Sequence, residues 1–336
     1  MKLAVVYNRK DHKLLPDTYS CIYRDMLYAV IKRFDSVFHV NSDCSAQDIH
    51  ADVILFWDVN SNHHIRIDGI EKHKALKIEY WSDPHQQELK GVYQKYNMYV
   101  HKLGAIQRVN RARLRGVSYV ISPVKNAFYE YFSPLMNAEK MLWYFPPAPA
   151  FEPCRIPIFD RKPEILANGA YWGGDDIGAY EFRKWAFKQP VISFVEHCVK
   201  NDTTPKGSDY IKLLSQYAGG LALCNVFPVV KYFEMPLAGM VVFAQYHREY
   251  EELGFVHYRN CVYVTKDTFI KRVKDFKDNI AKYQCIADSG RVLIQNNYTA
   301  YHFANFIYEK CEKELCHTIQ SQQSKTLLGK QSVATC

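Results

Sequence analysis

The densest chemistry in the sequence lies in the run Asn225-Val226-Phe227-Pro228-Val229-Val230-Lys231-Tyr232-Phe233-Glu234-Met235-Pro236-Leu237-Ala238-Gly239. Pro228 suits a first helical turn. Gly239 suits a helix stop, and apolar strands flank the run on both sides. The segment therefore reads as strand, turn, helix, strand. Its turn sets a helix N-terminus at the carboxyl edge of a sheet. Free N–H groups and the helix dipole favour an anion there, such as a diphosphate. Lys231 and Glu234 are one turn apart and share a helix face. A lysine there can meet phosphate, and a carboxylate can accept hydrogen bonds from a diol. The same spacing also fits a plain surface ion pair, and the residues alone leave both readings open. A second charged pattern is Arg108, Arg111 and Arg115, which fall on one helical face with Arg113 nearby. Such a stripe suits the phosphates of a nucleic acid or a lipid headgroup, or it is a solvated helix face.

These residues need elements to hold them. Leu3–Tyr7 reads as a buried strand. After it, Tyr19, Ile22, Tyr23, Met26, Leu27, Val30, Ile31 and Phe34 form an unbroken helical stripe. Further strands are expected at 36–40, 53–57, 76–81, 117–121 and 141–145. Strands spaced by helical stretches argue for β-α units and a parallel sheet. Pro146, Pro147 and Pro149 then break the pattern. It restarts with strands expected at 165–168, 191–195, 221–224, 241–244 and 261–264. Helices are expected at about 209–217, 228–237, 268–283 and 299–316. We therefore expect two α/β units, 1–147 and 148–317, followed by a flexible Gln/Ser/Lys-rich tail over 318–336. The last helix is expected to pack back on the first unit.

Composition agrees with this and narrows the function classes. At roughly 100–200 residues per domain, 336 residues hold about two domains. With 43 Lys and Arg against 35 Asp and Glu, the net charge is +8. That surplus suits an anionic partner without naming one. The 25 tyrosines could stack bases, yet no nucleic-acid-binding motif accompanies them. The ten cysteines include no Cys-x-x-Cys pair and read as buried, reduced thiols. The first residues turn polar too soon for a signal peptide. No apolar run approaches the about 18 residues of a membrane helix. A cytoplasmic protein without a membrane span is expected. G-x-G-x-x-G and G-x-x-x-x-G-K-[ST] are both missing, which disfavours a dehydrogenase and a P-loop enzyme. Asp175-Asp176 and His63-His64 are adjacent pairs, poorly disposed to chelate, so no metal site is expected.

The pattern Lys231, Glu234, Gly239 resembles the donor-binding segment of GT-B-fold glycosyltransferases. The likeness is greatest to the spore-maturation (CgeB-like) relatives of the "glycosyl transferases group 1" families. Other pieces match in order. Trp81-Ser82-Asp83-Pro84-His85 resembles the loop after the fourth strand. Tyr144-Phe145-Pro146-Pro147-Ala148 resembles the hinge. Asn168-Gly169 through Tyr180-Glu181-Phe182-Arg183 resembles the opening of the second domain. Lys206-Gly207-Ser208-Asp209-Tyr210 resembles the segment before the donor site, and 289–308 resembles the C-terminal helices. The resemblance covers most of 75–310 and is strongest over 205–256.

The resemblance implies an α/β GT-B fold, with two Rossmann-like doubly wound domains facing a central cleft. It implies a hexosyl- or pentosyltransferase that uses a nucleotide-diphosphate sugar, with a UDP-sugar the expected donor and no metal or other cofactor. Glu234 would hold the donor ribose. Lys231 and Arg183 would face the diphosphate, Gly169 would let backbone approach phosphate, and Tyr210 and Gly239 would belong to the same donor segment. Asp83 and His85 would sit by the acceptor or transferred sugar as base and hydroxyl ligand, or they cap a turn after the strand. Related retaining enzymes carry a second Glu where this chain has Val226. That leaves the stereochemistry open. An inverting reaction needs a base in the first domain, and the loop after its first strand offers Asp11 and His12, unless these are ordinary surface residues. The acceptor is open between a glycan, a protein, a small molecule and DNA with a hydroxylated base. A non-catalytic binding protein or a nucleotide-sugar epimerase on the same fold are the alternatives.

Overall fold

The computed structural model describes residues 1–7, 22–58, 65–81, 105–144, 154–168, 181–194, 205, 207–224 and 228–332. The first six main strands are β1 (Lys2–Val6), β2 (Ser36–Val40), β3 (Val53–Asp58), β4 (Leu76–Trp81), β5 (Tyr119–Ser122) and β6 (Met141–Trp143). They form one sheet in the order β2-β1-β3-β4-β5-β6, with parallel pairing throughout. Near-continuous apolar runs such as Leu3–Val6 and Val53–Trp57 are buried, as strands covered on both faces must be. Helix α1 (Ile22–Arg33) lays Ile22, Met26, Leu27 and Val30 on one face of this sheet.

The second sheet contains β7 (Lys162–Ala167), β8 (Ile192–Phe194), β9 (Tyr217–Ala222), β10 (Val241–Gln245) and β11 (Val262–Val264). Its order is β8-β7-β9-β10-β11, again all parallel. In both sheets the chain runs outward from the first strand to the second, then crosses to the first strand's other side. The carboxyl ends of β1 with β3, and of β7 with β9, are therefore topological switch points, where ligands bind in open α/β sheets. The expected doubly wound pair of sheets is present.

Several boundaries differ from expectation, and three of the differences change an element. Strand β9 begins at Tyr217 and not at Leu221, so Tyr217 opens a strand instead of closing a helix. Gly219 and Gly220 hid this, because glycine weakens a strand signal. Between α8 (Lys266–Asp278) and the last helix lies a separate helix, α9 (Gln284–Asn297), which ends where Tyr298 leaves helical geometry (φ −131°, ψ 45°). The last helix, α10, spans Ala300–Ser332. The stretch expected as a flexible tail from 318 is thus helical as far as Ser332, since nothing in its Gln, Ser and Lys residues forbids a helix.

The halves are joined by more than the chain crossing between them. Helix α10 places Phe303, Ala304, Ile307 and Cys311 in the buried cluster around β1, β3 and α1, and Arg33 Nε donates to Asn305 Oδ1 at 2.8 Å. Cys224, just past β9, lies in the first half's other core cluster with Trp81 and Phe128. Tyr144 Oη donates to the Asn297 carbonyl at 3.2 Å.

The arginine stripe turns inward. On α2 (Ala105–Leu114) and the turn after it, Arg108 and Arg115 are only 4% and 7% exposed. Arg111 donates to Glu79 Oε1 at 2.6 Å, and Arg115 lies 3.4 Å from Glu79 Oε2. Glu79 is fully buried on β4 and also accepts from Trp81 Nε1 at 2.9 Å. The Arg108 guanidinium lies 5.4 Å from the Trp81 ring centroid, and that of Arg115 lies 4.3 Å from the centroid of Phe56. Neither a nucleic-acid surface nor a solvated face describes this stripe. One buried carboxylate on β4 draws it into the core. Glu79→Ala would strand two guanidinium groups and should cost about 3–5 kcal/mol in urea unfolding. Removal of the exposed Arg66 should change stability by no more than about 0.5 kcal/mol. An equally small loss from Glu79→Ala would show that the buried pairing contributes nothing.

Candidate functional site

At the second switch point, β7 ends at Ala167 and the next residue, Asn168, is completely buried. Three further elements converge on it. Helix α5 (Ser208–Ser215) brings Tyr210, α6 (Lys231–Leu237) brings Lys231 and Glu234, and α4 (Glu181–Phe187) brings Arg183. Lys231 Nζ donates to Asn168 Oδ1 at 2.9 Å. Asn168 Nδ2 donates to Tyr210 Oη at 3.2 Å. Tyr210 Oη in turn donates to Glu234 Oε2 at 3.1 Å. Lysine and carboxylate are thus linked through two intermediates. Arg183 Nε donates to the Leu223 carbonyl, just past β9, at 2.9 Å.

Helix α6 owes its place to shape. Every residue from Tyr232 to Leu237 is buried. A Cβ on Gly220 would come within 2.6 Å of Met235 Sδ, so glycine in β9 lets the helix lie directly on the sheet. Pro236 cannot extend the helix ladder, and Gly239 closes it at φ +74°. This burial excludes the surface ion pair, because Glu234 is 3% exposed.

Charge is concentrated here. Burial lowers the pKa of Lys231, and the neighbouring Arg183 lowers it further, while Glu234 opposes the shift. Arg183 and Glu234 are buried and Lys231 is half-buried, and withdrawing these charges from water opposes folding. Charges perturbed in this way cluster at functional sites.

The structure therefore brings Lys231, Glu234, Arg183 and Tyr210 together. Gly239 does not join them. It lies just before β10, at the sheet's amino edge, where a Cβ would meet Arg161 Nη2 at 2.6 Å and the Cys154 carbonyl at 2.8 Å. Its work is to end α6 against Arg161, whose Nη1 donates to the Ala238 carbonyl at 2.7 Å. Asp11, His12, Asp83, His85 and Gly169 lie outside the described residues, as do Val226 and the prolines of the hinge. Asn168 is the site residue that sequence reasoning missed. The available signal was a lone amide at the carboxyl end of a strand, next to Gly169.

In sequence the chain matches no family profile, and no curated protein is detectably similar to it. Its architecture, however, is shared with solved structures. The crystal structure of Alr3699/HepE from Anabaena in complex with UDP-glucose has a TM-score of 0.61 at 11% identity, covering 93% of this chain and 100% of the other. A glycosyltransferase from Rickettsia africae ESF-5 gives 0.56 at 10% identity, covering 94% and 98%. TarM gives 0.52 at 9% identity, covering 77% and 54%. The fold is GT-B. Within the GT-B frame, the Lys231–Asn168–Tyr210–Glu234 chain belongs to the second of the two doubly wound sheets. Among the described residues, no helix is long and apolar enough to cross a membrane.

Lys231 gives this site a stability signature. Between its lowered folded pKa and the usual lysine value of about 10.4, the unfolded chain binds more protons than the folded one. Stability must rise with pH across that window. Lys231→Met should therefore be more stable than the parent at neutral pH, by about 1–2 kcal/mol, with the gain shrinking toward pH 10. Thermal melts across pH 6.5–10 check this, and a variant no more stable than the parent would contradict the burial argument.

Proposed function

We propose that this protein is a glycosyltransferase that moves a sugar from a UDP-sugar to a hydroxyl acceptor without a metal. The observation that carries the reading is the cluster of Lys231, Arg183, Glu234, Tyr210 and Asn168 at the second switch point of a GT-B fold. The UDP-glucose bound in the Anabaena structure supports the same reading.

In this reading Glu234 accepts hydrogen bonds from the ribose hydroxyls, with Tyr210 fixing the carboxylate. Lys231 and Arg183 face the diphosphate. During transfer the bond between the sugar's anomeric carbon and the β-phosphate oxygen breaks, and the electron pair leaves with UDP. Two fixed cations stabilise that growing charge in place of a metal ion. The acceptor oxygen bonds to the anomeric carbon, and its proton passes to a base. Asp83, His85, Asp11 and His12 are the candidates for that base and for acceptor contacts, and Gly169, next after Asn168 in sequence, is the candidate for close backbone approach to phosphate. We assign the sugar to the hexose or pentose class and the chain to the spore-maturation-like branch on the strength of the Lys231–Glu234 segment. The acceptor class, a glycan, protein, small molecule or hydroxylated DNA base, is to be found by assay. Val226, in place of a carboxylate, favours a second reading in which the chain binds nucleotide-sugar without transferring it. Slow donor hydrolysis that is lost in Lys231→Ala would exclude that reading.

A thermal-shift panel of nucleotide-sugars tests the proposal. UDP or a UDP-sugar should raise the melting temperature, and Glu234→Ala should abolish both the shift and any transfer. A chain that binds no nucleotide and turns over no donor would overturn the proposal. The depressed pKa of Lys231 adds a pH signature. A bound diphosphate pulls that pKa back up, so binding takes up a proton and weakens as pH rises. Calorimetry in buffers of different ionisation heat should detect the uptake in the parent and not in Lys231→Met.

A further inference from the structure

Glu249 is a completely buried carboxylate that the donor cluster does not use. It sits on α7 (Arg248–Glu252) in the second half, whose N-cap His247 accepts the Glu249 N–H through Nδ1 at 3.2 Å. Its own oxygens reach into the first half. Oε1 accepts the backbone N–H of Asn126 at 2.7 Å, and Oε2 accepts that of Lys125 at 3.3 Å. These are the first two amides of α3 (Lys125–Phe132). The residue at that helix's N-cap is Val124, which has no side-chain oxygen and is buried. A helix N-terminus leaves orphan donors that a side chain normally satisfies. Here the missing cap comes from the other half of the molecule. Beside it, Lys125 Nζ pairs with Glu252 Oε2 at 2.5 Å and lies 4.8 Å from the centroid of the Trp143 ring.

Tyr250, the residue after Glu249, turns toward the donor site. Tyr250 Oη accepts the Val229 N–H at 3.0 Å, and its ring stacks on Tyr232 at 3.3 Å between centroids. Val229 leads into α6, two residues before Lys231. One short helix therefore grips α3 of the first half and the approach to the donor lysine.

We propose that Glu249 is a positioning residue that clamps α3 to the second half and, through Tyr250, makes the first half respond to what occupies the donor site. The clamp does not depend on the reaction, while its consequence for transfer rests on the function proposed above. Burial pushes the Glu249 carboxyl up to about 7, against the pull of the two N–H groups and of Lys125, with Glu252 adding to the rise. A carboxylate so costly to bury without a structural partner is held where its bonds matter.

Hydrogen exchange read at the amides of Lys125 and Asn126 tests this directly. In the free protein, Glu249→Ala should speed exchange at these amides at least tenfold over the rest of α3, and unchanged exchange would overturn the clamp. Saturating UDP should slow exchange at the same amides in the parent and leave it unaltered in Glu249→Ala. UDP affinity in the variant should stay within about threefold, because Lys231 and Glu234 are intact, while the transfer kcat should fall at least tenfold with donor KM nearly unchanged. Arg248→Ala, exposed on the same helix, should behave as the parent. Bound UDP that leaves the α3 amides of the parent unchanged would overturn the coupling. If UDP does not bind at all, the function proposed above fails, and the free-protein comparison still decides the clamp. Should Glu249→Ala fail to fold, Glu249→Gln, of equal size and with one acceptor left, should give the same effects at smaller amplitude. Parent-like exchange in that variant would overturn the clamp.

Discussion

A lysine and an arginine placed close together, away from bulk water, set the terms for the second half of this molecule. Their mutual repulsion and lost hydration must be offset locally, and the surrounding residues are chosen to do so. Asn168 accepts from Lys231, the Leu223 carbonyl accepts from Arg183, and Glu234 supplies the only opposite charge described within the cluster. Tyr210 then fixes Glu234 and links it through Asn168 to Lys231. The geometry of α6 follows from this need. It must bring two of these residues to the carboxyl edge while lying flat on β9, which is why Gly220 faces Met235.

The first half solves a different electrostatic problem. Of its arginines, Arg111 and Arg115 are taken up by Glu79, and Arg108 and Arg115 lie against aromatic faces. They add rigidity to the wall formed by α2 and β4 and offer nothing to an external polyanion. Part of the net positive charge that the composition advertises is therefore structural, and another part belongs to the Lys231 cluster.

Much of this was legible in the residues. The alternation of apolar strands and amphipathic helices specified two parallel sheets. The helix stop at Gly239 and the charged pair on α6 marked the site's helix correctly. What failed did so for identifiable reasons. A period of about 3.6 places arginines on one face but does not say whether that face meets water or a buried glutamate one strand away. Gly219 and Gly220 erased the start of β9, because packing and not strand propensity fits them there, Gly220 under Met235 of α6 and Gly219 against Ile165, Phe243 and Phe276. Asn168 carried no periodic or compositional signal. Its role exists only because three helices, far apart in sequence, converge on the end of β7. Glu249 was invisible for the same reason, since its partners are amides more than a hundred residues earlier in the chain.

The return of α10 to the first sheet has a consequence for how the chain is made. Phe303, Ala304, Ile307 and Cys311 fill the core against β1, β3 and α1, so the first sheet is synthesised early but stays incomplete until these residues have left the ribosome. The second sheet has all five strands by Val264, and its core takes its last described buried residues from α8 and α9, ending at Ile294. Until α10 emerges, part of the apolar face of the first sheet lacks its cover, the condition in which partly synthesised chains are prone to aggregate. The last residues of the first half's core to be synthesised therefore lie about 160 residues beyond the last strand of the sheet they cover.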